Sequence, residues 1–221
     1  MNIDYIDHHG GDILVVNAAR VSFGKWKLDL DDGDKQLIHY LAKHGHWSPF
    51  AHPKATFRVT LPIFVARQWE KHRVGAVRSY DLYDHNEISR RYVDNEPTFF
   101  YPETWRGRPE KSIKQGSGAA IDNQDVATAA YTKAIDQTKA SYIDLLKQGV
   151  APEQARMVLP QSMYTQWIET GSLMYWSRVY KQRIDSHAQQ EIQALVEQLH
   201  DHMELLFPLS WEVLLTVGEN V

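Results

Sequence analysis

The sequence predicts a single soluble domain of mixed helix and strand, and three observations carry that reading. The chain has 221 residues, of which 43% are hydrophobic and 24% charged. That is long enough for one real core and ordinary for a globular protein. Residues 55–61 alternate, with Ala55, Phe57, Val59 and Leu61 on one face and Thr56, Arg58 and Thr60 on the other, as a half-buried strand does. Residues 123–148 place Val126, Ala130, Ile135, Tyr142, Leu145 and Leu146 at helical spacing, with Gly149 after them. No run approaches ~18 apolar residues, so no membrane span is expected. The start, MNIDYIDHHGGD, lacks the layout of a signal peptide, so a cytoplasmic location is expected.

The other elements follow in order. Gly10 and Gly11 form a turn before a helix over 12–22. Residues 24–33 read as loop. Asp34 sits at an N-cap position, Leu37, Ile38 and Leu41 follow at helical spacing, and Gly45 closes that helix. After the 55–61 strand, Pro62 is placed in the first turn of a helix on which Gln68, Lys71 and His72 share a face while Phe64, Val65 and Trp69 pack inward. Residues 94–120 carry Pro97, Pro102, Gly107, Pro109, Gly116 and Gly118 and read as a surface segment. Pro152 opens a short helix through Leu159. Residues 163–170, MYTQWIET, have strand composition, broken by Gly171. Ser172 caps a helix through Arg183. Ser186, with Gln189 three residues on, forms a capping box for a last helix with a stripe of Ile192, Leu195, Val196, Leu199, Met203 and Leu206. His200 and His202 are read as solvated, Pro208 ends the helix, and no internal repeat is visible.

Composition narrows the chemistry. The net charge is −4, which disfavours a general nucleic-acid binder. There is no cysteine, which excludes disulfides, thiolate metal sites and thiol nucleophiles. His44, His46 and His52 match no strong zinc spacing, so no metal is expected. Against this acidic background, residues 67–92 hold Arg67, Lys71, Arg73, Arg78, Arg90 and Arg91, with His72 and His85. Guanidinium forks suit phosphate oxygens, and Asn86, Glu87 and Ser89 add hydrogen-bonding groups for a polar ring. A plain charged helix followed by a turn would show the same composition.

The same stretch resembles the signature of flavin-dependent thymidylate synthases. The residues that carry the resemblance are Lys71-His72-Arg73 and Asn86-Glu87-Ile88-Ser89-Arg90-Arg91-Tyr92. Three further segments match in the family's order: Ala18-Ala19-Arg20-Val21-Ser22-Phe23, Pro62-Ile63-Phe64-Val65-Ala66-Arg67-Gln68-Trp69, and Arg183-Ile184-Asp185-Ser186-His187-Ala188-Gln189. The chain departs from the pattern in having Lys71 for the first Arg and a longer interval between Arg73 and Ser89. It also has Ala51 where an acidic residue commonly follows Ser48, and Glu169, Gly171 and Tyr175 at places that touch flavin in the family. The insertion, 74–85, is expected at the active-site rim or a subunit interface.

The resemblance implies an α+β fold, a single domain over 1–221 with a central antiparallel sheet flanked by helices, assembled as a homotetramer with active sites between subunits. It implies reductive methylation of dUMP to dTMP, with FAD as cofactor and NADPH and methylenetetrahydrofolate as co-substrates. By resemblance, Gln68, Lys71, Glu87, Ser89, Arg90, Arg91 and Arg156 bind dUMP, and Arg183 binds and polarises the uracil. Ser22, Ser48, Lys71, His72, Arg73, Asn86, Glu87 and His187 bind the flavin. The absence of cysteine fits a route that avoids an enzyme thiolate, as flavin chemistry does. A rival outcome on the same scaffold is flavin-dependent hydroxymethylation of dUMP or dCMP, and a rival class is a nucleotide-binding regulator.

Overall fold

The computed structural model describes residues 1–72, 85–92, 96–109 and 116–217. The insertion therefore lies almost entirely outside the described residues, as does Arg73. The fold is organised by two strands that are distant in sequence and adjacent in space. Strand β1 (Asn2–His9) pairs antiparallel with β2 (Lys54–Pro62), which pairs with β4 (Tyr164–Ser172), which pairs in turn with the short β3 (His85–Glu87). Strand β1 has little apolar alternation of its own. Ile3 is its one buried side chain, and hydrogen bonding to β2 holds the rest.

The helices are α1 (Asp12–Arg20), α2 (Asp32–Lys43), α3 (Ile63–Trp69), α4 (Gln124–Lys147), α5 (Pro152–Ala155), α6 (Leu173–Ile184), α7 (Gln190–Leu206) and α8 (Pro208–Thr216). One face of the sheet is buried. Phe57, Val59, Leu61 and Trp167 meet Trp176 and Val179 of α6 and the α7 stripe in a single core. Phe57 meets the Trp176 ring edge-on at 5.2 Å, a preferred aromatic geometry. The other face stays open, lined by Thr56, Arg58, Thr60, Gln166, Ile168 and Thr170. Among the described residues no helix is long and apolar enough to cross a membrane.

Strands β2 and β4 each run nine residues and pass directly into a helix. The two junctions mirror one another across the antiparallel pair. The first amide of α3, Ile63, donates to Met163 at the entry to β4, and the first amide of α6, Leu173, donates to Pro53 at the entry to β2. Each helix start thus finds acceptors for amides that have no partner within the helix. The chain contains a structural repeat that its sequence hides.

Several local expectations need correction. The cap of α2 is Asp31, whose carboxylate accepts from the Asp34 amide while the Asp34 carboxylate accepts from the Asp31 amide. Asp34 is thus the third residue of the capping box, and it is buried against Arg20 and Lys27. Pro62 ends β2 and caps α3 in extended geometry. Gly171 lies inside β4. Its missing side chain makes room for Tyr175, because a β-carbon there would fall 2.2 Å from Tyr175 Cδ1. Ser186 does not cap α7, which begins at Gln190 without a side-chain cap. His200 is bonded to Trp211 Nε1 at 2.9 Å, and His202 to the Ile3 carbonyl at 3.0 Å. Both histidines tie α7 to its neighbours. On α4 only Ile135 and Tyr142 are buried, while Val126 is 68% exposed. Helix α8 begins at Pro208, and its Leu209 and Ser210 amides are capped by the buried Asp12 carboxylate of α1.

Candidate active site

The site forms around the C-terminal end of α3, which directs its side chains to two flanks. On the first, Ile63, Ala66, Arg67, Glu70 and Lys71 line a cavity of about 480 Å³ together with Glu87 of β3 and Thr165 of β4. Thr165 is buried, and its hydroxyl donates to Glu87 Oε1. That bond fixes one carboxylate oxygen beside two cations. The lining sets Arg67 and Lys71, which can donate to an anionic group, against Glu70 and Glu87, whose carboxylates can accept from the N–H groups of a polar ring.

On the second flank, Gln68 and His72 turn toward α6 and α7. Gln68 Nε2 donates to Gln189 Oε1. Arg183, in the last turn of α6, donates from Nε to His72 Nε2 at 2.6 Å and from Nη2 to the Gln68 carbonyl at 2.8 Å. His72 is only 8% exposed. Burial, then the charges of Arg183 and Arg178, hold its pKa down at about 4, so the ring is neutral at neutral pH. Burial lowers the Arg183 pKa as well, but a guanidinium stays charged at any working pH. The expected shared face of Gln68, Lys71 and His72 is therefore split. Helix α3 ends at Trp69, and the turn beyond it sends Lys71 to one flank and His72 to the other.

Beneath both flanks lies a buried carboxyl group. Glu169 is 2% exposed, accepts from Trp69 Nε1 at 2.7 Å and Trp167 Nε1 at 3.0 Å, and pairs with the Tyr175 hydroxyl at 2.7 Å. Glu169 and Tyr175 are packed into the core and form an internal brace under α3, and Gly171 leaves the space that the Tyr175 ring fills.

Apart from Glu87, which lines the cavity, the remaining expected residues do not gather here. Asn86 and Glu87 are exposed on β3, Ser89 and Arg90 are half-buried, and exposed Arg91 lies over the Tyr92 ring at 5.2 Å. Ser22 and Ser48 are exposed on separate turns after α1 and α2. Arg156 is exposed beyond α5 and donates to the Glu153 carbonyl. His187 is exposed and bonded to Asp185. The hydroxyls of Ser22 and Ser48, the Asn86 amide and the His187 imidazole carry the right chemistry for a flavin's polar edge, and within one chain they stand apart.

The family model described as "Thymidylate synthase complementing protein" matches residues 4–209. The chain belongs to the flavin-dependent thymidylate synthase family of enzymes. It is 38% identical over 217 residues to the flavin-dependent thymidylate synthase of Thermosipho africanus, covering 95% of this chain and 89% of that protein. It is 36% identical over 206 residues to that of Thermus thermophilus, covering 93% and 72%. A crystal structure of the UMP/dUMP methylase PolB from Streptomyces cacaoi bound with 5-Br dUMP superposes with a TM-score of 0.84 at 29% identity, over 98% of this chain and 95% of that one.

Three residues of this flavin-dependent thymidylate synthase family member had no assigned role in the sequence reading: Glu70, Thr165 and Arg67. Arg67 stands in the basic stretch and in the matching Pro62–Trp69 segment, with no role of its own. The available signal is helical spacing, since Arg67 and Lys71 are four apart. Thr165 shares the inward face of β4 with Trp167 and Glu169, where a run of polar residues facing a core marks a site.

Proposed function

We propose that the protein methylates dUMP at C5 to give dTMP, with FAD as cofactor, NADPH as reductant and methylenetetrahydrofolate as carbon donor, in the cytoplasm. The observation that carries this reading is the Arg183 guanidinium fixed against one flank of α3, with a cavity lined by Arg67, Lys71, Glu70 and Glu87 on the other flank. Lys71, Glu87, Ser89, Arg90, Arg91 and Arg156 take the nucleotide, the cations serving its phosphate. Arg183 meets the polar edge of the uracil. Negative charge that builds at C5 and O4 as hydride adds at C6 is stabilised more in the transition state than in the ground state. A bound flavin supplies hydride. Ser22, Ser48, Lys71, His72, Arg73, Asn86, Glu87 and His187 hold that flavin, and they do so in a homotetramer that brings together groups exposed and separate in one chain. The apolar side chains that α4 leaves exposed, Val126 and Ile143, support such an assembly.

Mass analysis of products made from dUMP with methylenetetrahydrofolate and NADPH tests the reading. dTMP is expected, and a 5-hydroxymethyl nucleotide or no product overturns it. Arg183→Ala should stay folded and yellow yet lose about 10²- to 10³-fold in product formation. Wild-type product from that variant sinks the role of Arg183. A second reading, methylation of UMP alongside dUMP, is favoured by the likeness to a methylase whose structures hold both brominated nucleotides. It is checked by supplying UMP in the same assay.

A further inference from the structure

The two bonds from Arg183 use a particular edge of its guanidinium. The Nε–H and the neighbouring Nη2–H form the side-on fork, the pair that would otherwise take a carboxylate or phosphate bidentately. Here the fork is filled by His72 Nε2 and the Gln68 carbonyl. Among the described residues nothing is bonded to Nη1. What remains for a ligand is the end-on edge, Nη1 with the outer N–H of Nη2. That edge can donate to the O4 carbonyl of a uracil and to N3 once the N3 proton is lost.

We propose that His72 is the positioning residue for Arg183: by accepting the Nε–H, it closes the side-on fork together with the Gln68 carbonyl and turns the end-on edge toward the pyrimidine. This rests on the reading that Arg183 meets the uracil. The physical demands on His72 are specific. Its Nε2 must be an acceptor, so the ring must be neutral with its proton on Nδ1. The groups of α6 that face it, Arg183 and Arg178, are both cationic and disfavour the imidazolium. On its own turn Glu70 is exposed and Lys71 faces the cavity. The Gln68 carbonyl belongs to the last turn of α3, where carbonyls lack helical partners and are free to accept. Two bonds fix the guanidinium plane as well as its position. An apolar side chain at 72 would fill the same space and leave Nε–H unpaired, with the end-on edge no longer aimed.

The test uses the full-length holoenzyme. Nitrogen-15 spectra of histidine-labelled protein, compared with His72→Gln for assignment, should show His72 as the Nδ1–H tautomer, neutral at pH 6, with an Nε2 signal that shifts in Arg183→Lys. An Nε2–H tautomer, or a signal indifferent to Arg183→Lys, overturns the proposal. In turnover, rates are taken per bound flavin. His72→Leu should lower the ratio of product formed to NADPH oxidised at least about tenfold, because misaiming a catalytic group is costly to chemistry whereas a weaker hold on the flavin lowers both terms alike. His72→Gln, which places an amide oxygen near the Nε2 position, should recover most of the loss. If product and NADPH oxidation fall together, or if Leu matches wild type, His72 does not position Arg183. Failure of the underlying reading would look different: Arg183→Ala itself would make product, whatever the tautomer at 72.

Discussion

The two strand–helix units at the centre of the molecule share a backbone plan and differ in what they bury. Inward from β2 come Ala55, Phe57, Val59 and Leu61, all apolar. Inward from β4 come Thr165, Trp167, Glu169 and Gly171. The first unit ends in a helix of seven residues, the second in one of twelve, whose last turn brings Arg183 back to the end of the first helix. The difference teaches a division of labour. Strand β2 contributes area to the core, and β4 contributes polar groups that each need a partner: Thr165 for Glu87, Glu169 for two indoles and a phenol.

The largest expected effect breaks this contrast directly. Glu169→Ala strands three buried groups, Trp69 Nε1, Trp167 Nε1 and the Tyr175 hydroxyl, at about 1–3 kcal/mol each, and should cost at least ~3 kcal/mol in urea unfolding. Val59→Ala, at the corresponding inward position of β2, removes only apolar bulk and should cost about 2 kcal/mol. Equal losses would mean that the polar brace is mere filler.

The same contrast explains what the sequence made legible. The apolar alternation of β2, the Ser172 start of α6 and the α7 stripe were readable because each is a local pattern serving one core. Glu169 was not readable as a brace, because its partner Trp69 lies 100 residues away. The Arg183–His72 contact joins residues separated by 111 positions. Gly171 reads locally as a strand breaker and is instead the space that Tyr175 fills. The resemblance of the 67–92 stretch to a known signature points to α3, the helix around whose end the candidate site forms. Spacing alone put Lys71 and His72 on one face, since nothing local announced the end of α3 at Trp69.

A second test sharpens the comparison where the units meet, through pH. The folded His72 has a pKa of about 4 against an ordinary 6.5. Below pH 6.5 the unfolded chain binds a proton at this site and the folded chain does not. The unfolded state therefore binds more protons, and stability falls as pH drops from 6.5 toward 4, with no contribution above that window. Urea midpoints across this range should show a decline that His72→Gln removes, and a slope unchanged in the variant would assign it to other groups.

The smallest effect concerns the two junctions. Ser172 caps α6 through its hydroxyl, which accepts the Tyr175 amide at 3.1 Å, whereas Pro62 gives α3 no side-chain cap. Ser172→Ala should cost about 1 kcal/mol, and Thr at that position should restore most of it. Thermal melts of the two variants decide this, and an Ala variant as stable as the wild type would make the junctions equivalent.

The pairing of β2 with β4 also sets an order of events for a newly made chain. Its central partners, Arg58 and Ile168, are joined only after everything between them has been produced and looped aside. Contacts of such long sequence range are formed slowly, because the entropy of closing the loop is lost before any strand bond rewards it. The cavity residues on α3 emerge early and wait. The Arg183 guanidinium that grips the end of α3 arrives with the end of α6, so a chain halted before that point holds the cavity-lining helix without the contact that fixes its last turn.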